Sequence, residues 1–328
     1  MENNVAFPAD TLFLVTGAAG FIGSNLTEAL LNMGYRVIGL DNFSTGKKEN
    51  LEGFKNNESF ELIIGDIRDE DICQRACKGV DFVLHQAALG SVPRSVKDPH
   101  TSNEVNITGT LNMLLAARDN RVKRFVFASS SSVYGDDNNL PKLEDRVGDP
   151  LSPYAVTKKA VELYAKVFYE LYGLETIGLR YFNVFGRRQD PDSEYAAVIP
   201  IFIKRILNKY PPVIYGDGTQ SRDFTYIDNV IEANLKACLA SKDACGSAYN
   251  IACGDGLTLI DLHNIICKLL FKEIKPVFEP ARKGDIKHSN ADITKAGLML
   301  GYYPEVDAME GLKRSVMWYT NMGEWENL

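Results

Sequence analysis

Thr11 to Val15 (TLFLV) is a short apolar run that feeds directly into Gly17-Ala-Ala-Gly20-Phe-Ile-Gly23, and Ser24 to Met33 then carries helical periodicity. A strand, a glycine turn and a helix in that order restrict the fold more than any other stretch of the chain. The first glycine permits the tight turn. The second lets backbone amides approach a pyrophosphate, and the third lets the helix lie close on the sheet. The helix N-terminus then favours the anion. A lone glycine pattern carries little weight, but Arg36 to Asp41 (RVIGLD) reads as a second buried strand, ending in an acid 18 residues past the last glycine. Asp41 can accept both ribose hydroxyls of an adenosine and repel a 2′-phosphate, so NAD is expected rather than NADP.

The alternation continues. Strands are expected at Phe60 to Ile64, Val80 to His85, Arg124 to Ala128 and Glu175 to Leu179, with helices through Cys73 and Cys77, around Asn103 to Asp119, and over Tyr154 to Tyr172. Strands alternating with helices imply a parallel, doubly wound α/β sheet, and ligands on such sheets bind outside the carboxyl ends of the strands. Asp41, Asp66, Gln86 to Ala88, Ser129 to Ser132 and Arg180 to Asn183 all follow strands in this reading and converge on one edge. Asp66 has two roles open to it: meeting an adenine amino group, or capping the following helix. Beyond Asn183 the alternation fades into loops rich in Gly, Pro and charge, at 186–194, 210–222 and 279–289. Residues 1–180 are expected to form the dinucleotide-binding domain, and 181–328 a smaller, loop-rich α/β domain that holds substrate, with segments free to interleave.

With 328 residues and 45% apolar composition, the chain is long enough for two domains. A net charge of -7 argues against a nucleic-acid partner, although a few local cations can still hold a diphosphate. The six cysteines contain no C-x-x-C pair and the four histidines are scattered, so neither a metal site nor a disulfide framework is expected. The first ten residues lack a basic region followed by an apolar run, and no uninterrupted apolar stretch approaches the length of a membrane span. A soluble, cytoplasmic protein is the expectation.

Tyr154-Ala-Val-Thr-Lys158 lies about 24 residues after the serine run Ser129 to Ser132. On a helix, residues i and i+4 share a face, so Tyr154 and Lys158 can point together at one bound cofactor. A free phenol is a poor base at neutral pH. A neighbouring ammonium and the positive charge of an oxidised nicotinamide both favour phenolate, which makes Tyr154 a usable proton acceptor. Taken alone, such a pair is more often helix packing and a solvated charge; the glycine turn upstream changes the balance towards redox chemistry at a carbinol.

GAAGFIG, LDNFSTG, GDIRD, HQAA, SSSSVYG, YAVTK, LRYFNVFG, YGDGTQSRDF and RKGD follow one another along nearly the whole chain. In that order they resemble the extended short-chain dehydrogenase/reductases with a Rossmann-like fold, specifically the UDP-sugar 4-epimerases. HQAALGSVPRS, Ser130-Ser131-Ser132, LRYFNVFGRRQDP and DIKHSNAD are most similar to the subgroup acting on UDP-N-acetylglucosamine. The resemblance implies Tyr154 as base, Lys158 as the residue tuning it and binding the nicotinamide ribose, and Ser130 as the hydroxyl bonding the sugar O4. It implies NAD contacts from Gly17, Gly20, Phe21, Ile22, Gly23, Asp41, Asn42, Ser44, Thr45 and Gly46. Asp66, Ile67, Gln86, Ala87, Ala88, Asn106 and Tyr181 match further NAD positions. For the UDP-sugar it implies Asn183, Ala197, Val198, Tyr215, Arg222, Arg282 and Asp285, with Gly90, Ser91, Ser131 and Ser132 near the hexose. Arg222 and Arg282 can offer planar forks to the diphosphate.

The implied reaction inverts C4 through a transient 4-keto sugar with NAD retained throughout. Related 4,6-dehydratases carry Thr-Asp-Glu where this chain has Ser130-Ser131-Ser132, and two hydroxyls cannot replace the added acid and base that dehydration needs. Decarboxylation of a UDP-glucuronate calls for a carboxylate pocket that Arg94 or Arg187 could supply, and epimerisation of a UDP-hexuronic acid is a separate alternative. Ser289 matches a position that is bulky in enzymes limited to UDP-glucose and UDP-galactose and small in those admitting a 2-acetamido group, so UDP-N-acetylglucosamine is the expected substrate, with UDP-glucose as the alternative. The family's habit of pairing through two long helices implies a homodimer through 99–119 and 152–172, although Ile107, Leu111, Leu114, Leu115, Val161, Leu163, Val167 and Phe168 could equally pack on the sheet. A dinucleotide-sensing module without catalysis and a net oxidoreductase are the readings from other classes.

Overall fold

The computed structural model describes residues 6–281 and 287–321. Seven parallel strands make the main sheet. They are β1 (Leu12–Thr16), β2 (Arg36–Asp41), β3 (Phe60–Ile64), β4 (Phe82–His85), β5 (Arg124–Ser130), β6 (Thr176–Tyr181) and the strand Ser247–Ile251. Their order is β3-β2-β1-β4-β5-β6 followed by Ser247–Ile251, so the winding direction reverses between β1 and β4. Central strands such as β4 and β6 are buried at every position, because helices cover both faces and leave no solvent side for polar alternation. One apolar layer joins Val15, Leu26 and Leu179 to the C-terminal helices. The opposite layer joins Leu14, Met113, Phe125 and Phe168.

Helix α1 (Phe21–Asn32) follows the glycine turn, and α2 (Glu70–Ala76) begins after Asp69, whose carboxylate accepts from the Ile72 amide at 3.1 Å. The cap is therefore Asp69, and Asp66 is spared that role. Helices α3 (Val92–Lys97) and α4 (Pro99–Asn103) lead through a π-helical turn, Glu104–Gly109, into α5 (Thr110–Asp119). Such turns displace one residue from the regular ladder, and here the displaced stretch carries Asn106. Helix α6 (Pro153–Tyr172) has a complete set of end signals. Ser152 accepts from the Ala155 amide at 3.1 Å, proline occupies the first turn, and Gly173 closes the helix with a positive φ of 70°.

Two strand ends run further than the sequence suggests. β5 includes Ser129 and Ser130, and β6 includes Arg180 and Tyr181, so these residues sit on rigid sheet rather than in the loops that follow. The stretch after Asn183 also holds more helix than its composition indicates, with helices Val198–Leu207, Ile227–Leu239, Leu259–Leu269, Thr294–Leu300 and Ala308–Asn321. Among the described residues no helix is long and apolar enough to cross a membrane.

Candidate active site

Two cavities open at the carboxyl ends of the strands. The larger, about 440 Å³, is lined by Gly17, Gly20, Phe21, Ile22 and Gly23 of the turn, and by Asp41, Asn42, Ser44 and Thr45 after β2. Asp66 and Ile67 after β3 and Gln86, Ala87 and Ala88 after β4 complete one wall; Arg188 to Asp190 and Tyr195 to Ala197 form the other. The smaller cavity, about 250 Å³, adjoins Ser129, Ser130, Tyr154, Lys158, Tyr181 and Val184. Ile22, Gln86, Ala88 and Gly90 line both, so the two spaces share a wall.

The larger cleft suits a dinucleotide. Gly17 has a φ of 68°, and a Cβ there would stand 2.9 Å from the Ala87 nitrogen; one on Gly23 would stand 2.0 Å from the Gly17 carbonyl oxygen. Side chains at these positions would close the cradle or push α1 off the sheet. Gly20 caps α1 with no side-chain hydrogen bond, and no acidic residue occupies the first turn, so its amides face an anion unopposed. Gly46 packs behind the wall, where a Cβ would meet that of Ala19 at 2.8 Å. Asp41 accepts from the amides of Ala19 at 2.9 Å and Phe43 at 2.7 Å. Burial raises its pKa, and those two amides oppose the rise. Asp66 is gripped by the Arg68 guanidinium and by Asn42; chiefly the Arg68 hydrogen bond brings its pKa down to about 2. Asn106 is buried, and its amide group is engaged with the Leu89 backbone and Thr157, so it braces the 86–90 loop from behind.

Tyr154 and Lys158 occupy the first two turns of α6 facing β5. Lys158 donates to the Ala128 carbonyl at 2.8 Å, and its ammonium lies 5.9 Å from the Tyr154 ring centre. The Ser130 hydroxyl accepts from the Ser132 amide at 3.1 Å and lines the smaller cavity together with the Tyr154 side chain. Burial raises the pKa of Tyr154, and Ser130 pulls it back. Burial lowers that of Lys158 to about 8, with the Glu162 carboxylate opposing. His85 lies below this pair between Thr16 and Thr110, at 2.8 and 3.0 Å. Burial, then the Lys158 charge, pushes its pKa down to about 3, so it stays neutral. Tyr181 is tied to Gln86 and Asn234, and burial raises its pKa.

The remaining sequence-derived positions stand off these walls. Ser91 caps α3 by accepting from the Arg94 amide. Ser131 and Ser132 enter the turn after β5. Asn183, at a φ of 33°, donates to the Asp223 carbonyl at 3.0 Å. Val198 opens a helix, and Tyr215 ends a short strand. Arg222 and Ser289 are neighbours in register on two parallel strands. Arg282 and Asp285 lie outside the described residues. Arg187, one of the two arginines suited to a substrate carboxylate, is committed to Asp228 at 2.7 Å and close to Glu28. Arg94 stacks over the Tyr195 ring at 5.4 Å. Two residues that the sequence did not single out also support the site. The buried hydroxyl of Ser95 accepts from the Tyr154 amide at 3.0 Å. Glu162 shares a helical face with Lys158, and its i+4 spacing is the signal that could have found it.

Lys158 is buried with a charge it holds only weakly, which is a cost to the fold. Below pH 8 that cost is complete; between about 8 and the ordinary 10.5 the folded protein releases a proton the unfolded chain keeps, and stability rises. In nucleotide-stripped protein, Lys158→Met should therefore raise the thermal midpoint at pH 7 by about 2–4 °C, and calorimetry should find this gain shrinking across pH 8 to 10.

Residues 13–252 match the model of the NAD dependent epimerase/dehydratase family. UDP-glucose 4-epimerase of Mycolicibacterium smegmatis is 38% identical over 313 residues, covering 95% of this chain and 99% of that one. Among solved structures, UDP-N-acetylglucosamine 4-epimerase from Methanobrevibacter ruminantium, in complex with UDP-N-acetylmuramic acid, is 43% identical. It superposes with a TM-score of 0.91 over 95% of this chain and 99% of its own. UDP-glucuronic acid 4-epimerase from Bacillus cereus, with UDP-glucuronic acid and NAD, is 35% identical at a TM-score of 0.87, over 95% and 100%. With its glycine cradle, its Ser-Tyr-Lys set and relatives of this kind along nearly its full length, the chain belongs to the NAD dependent epimerase/dehydratase family, alongside the UDP-sugar 4-epimerases.

Proposed function

We propose that the chain is a UDP-N-acetylglucosamine 4-epimerase that inverts C4 through a transient 4-keto sugar and keeps NAD through every turnover. The observation carrying this reading is the wall shared by the two cavities, which sets Ser130, Tyr154 and Lys158 beside the end of a dinucleotide cleft. Gly17, Gly20, Gly23 and Asp41 would hold NAD, which when bound supplies the chemistry of taking a hydride from C4 and returning it to the opposite face. Tyr154, as phenolate, removes the C4 hydroxyl proton and later gives it back, so no net redox change remains. Lys158 favours that phenolate through its charge, and Ser130 steadies the same oxygen by hydrogen bonding. The keto sugar turns over between the two half-reactions while Arg222, with Arg282, holds its diphosphate. Asn183, Ala197, Val198, Tyr215 and Asp285 complete the UDP-sugar site in this reading, with Gly90, Ser91, Ser131, Ser132 and Ser289 around the hexose.

The N-acetylated substrate is favoured by the small Ser289 beside Arg222 and by the relative from Methanobrevibacter ruminantium. A hexuronate carboxylate would fall to Arg94, which lies over the Tyr195 ring, because Arg187 is already paired with Asp228. The reading assigns NAD to residues 1–180 together with the strand Ser247–Ile251, and the UDP-sugar mainly to the rest. It also includes a cytoplasmic setting, in keeping with six free thiols, and a homodimer. Val156, Leu163, Val167 and Leu171 stand exposed along α6, whereas Val161 and Phe168 pack inward; such a stripe on one helix is suited to a second copy. A monomer by sedimentation at micromolar concentration would remove the homodimer.

Purified protein without added NAD should interconvert UDP-N-acetylglucosamine and UDP-N-acetylgalactosamine, assayed by chromatography, and leave the nicotinamide absorbance unchanged. Tyr154→Phe should retain the fold and bound NAD while losing about 100-fold or more in kcat; undiminished turnover would sink the assignment of Tyr154. Ser289→Tyr should depress activity on the N-acetylated pair while sparing UDP-glucose and UDP-galactose, and a panel of UDP-hexoses reads out this selectivity directly. Equal activity on both pairs after that change would take Ser289 out of the substrate site.

A further inference from the structure

Tyr154, Lys158 and Ser130 come from two separate elements, α6 and β5, whose relative placement must hold to a fraction of an ångström. One carboxylate, nearly closed to solvent, joins these elements. Glu162 lies one turn beyond Lys158 on α6 and lines neither cavity. Its Oε1 accepts from the Ser129 hydroxyl at 2.6 Å, and Ser129 is the residue before Ser130. The same carboxylate receives the Arg180 guanidinium through both oxygens, Nε to Oε1 at 2.8 Å and Nη2 to Oε2 at 2.9 Å. Arg180 precedes Tyr181, which lines the catalytic cavity from β6. Both partners are nearly closed to solvent, with side-chain exposures of 5% and 9%. Arg180 is steadied in turn by Nη1 contacts to the Tyr134 hydroxyl at 3.0 Å and the Glu144 carbonyl at 3.1 Å.

We propose that Glu162 is a positioning residue for the epimerisation: by gripping Ser129 and Arg180 at once, it fixes the ends of β5 and β6 against the helix that carries Tyr154 and Lys158. It stands behind the walls of both cavities. A bidentate, desolvated pair holds direction as well as distance, and the third hydrogen bond from Ser129 passes that geometry to the catalytic serine through one peptide unit. Its negative charge also lies on the Lys158 face of α6 and favours the ammonium there. The inference rests on the assignment of Tyr154, Lys158 and Ser130 under the proposed function.

Ser129→Ala separates positioning from folding, because it removes one arm of the grip and leaves the ion pair whole. Glu162→Gln combined with Arg180→Gln neutralises both partners and avoids stranding a buried charge. We expect Ser129→Ala to lower kcat about fivefold and the double variant about 50-fold. For Ser129→Ala the KM for the UDP-sugar should stay within about twofold, with bound NAD per protomer as in the wild type and a thermal midpoint lowered by only a few degrees through loss of the one hydrogen bond. A wild-type kcat in Ser129→Ala, or in a folded double variant, overturns the proposal, as does a raised KM at unchanged kcat. If the double variant does not fold, the kcat and KM of Ser129→Ala alone decide for or against the positioning role. Tyr154→Phe run in parallel separates the two readings. Loss of turnover there with wild-type behaviour in the other variants refutes only the positioning role, whereas an active Tyr154→Phe refutes the site assignment and the positioning role together.

Discussion

Parallel strands present their carboxyl ends to one edge of a sheet, and where the winding reverses the flanking helices part and leave a crevice. In this chain the reversal falls between β1 and β4. Nearly everything chemical hangs from that edge. The glycine turn leaves β1, Asp41 ends β2, Gln86 follows β4, Ser130 ends β5 and Tyr181 ends β6. The close approach of α1 to this edge depends on Gly23, since any Cβ there would run into the Gly17 carbonyl. A dinucleotide and a sugar can therefore lie end to end across strand ends that the core has already fixed.

Holding a cation in that crevice is expensive. Burial works against the Lys158 ammonium and against Tyr154 ionisation at once, so the proposed phenolate chemistry would need charges that the fold arranges in advance. The Glu162 carboxylate favours the Lys158 ammonium, and it is itself compensated by Arg180. His85 is kept neutral beneath them and bridges Thr16 and Thr110 without adding a competing charge. The arrangement gives up some stability to keep a weakly held ammonium beside a buried phenol, a common compromise where function needs a strained site.

How much of this was legible in the sequence depended on how local the signal was. Gly17, Gly20, Gly23, Asp41, Tyr154 and Lys158 sit at spacings dictated by one turn or one helix, and the structure brings all six to the two adjoining cavities. In the sequence Asp66 stands between an adenine contact and a helix cap, and only the backbone geometry gives the cap to Asp69. Ser129 and Arg180 read as loop residues, since strand ends blur where polar residues face a ligand edge, yet both lie within strands. The helices after Asn183 were obscured by the glycines, prolines and charges that separate them. The strand Ser247–Ile251 gave no sign of joining a sheet whose other members end near residue 181. Arg94 and Arg187 are equivalent as carboxylate ligands in the sequence, and the pairing with Asp228 distinguishes them only in the fold.

By itself the sequence determined the glycine turn and the pair of Tyr154 and Lys158, because each rests on spacing within one turn or one helix, where spacing translates directly into geometry; the fold class followed from the alternation of strands and helices, and Ser130 from the order of motifs along the chain. Only the tertiary structure decided which polar groups are already occupied. Glu162 with Ser129 and Arg180, Asn106 with Leu89, and Arg187 with Asp228 pair residues distant in sequence, at positions set by helix packing and sheet order. A hydrogen bond or ion pair demands a separation of about 3 Å, and no local pattern can encode which two remote side chains the folded core will bring that close.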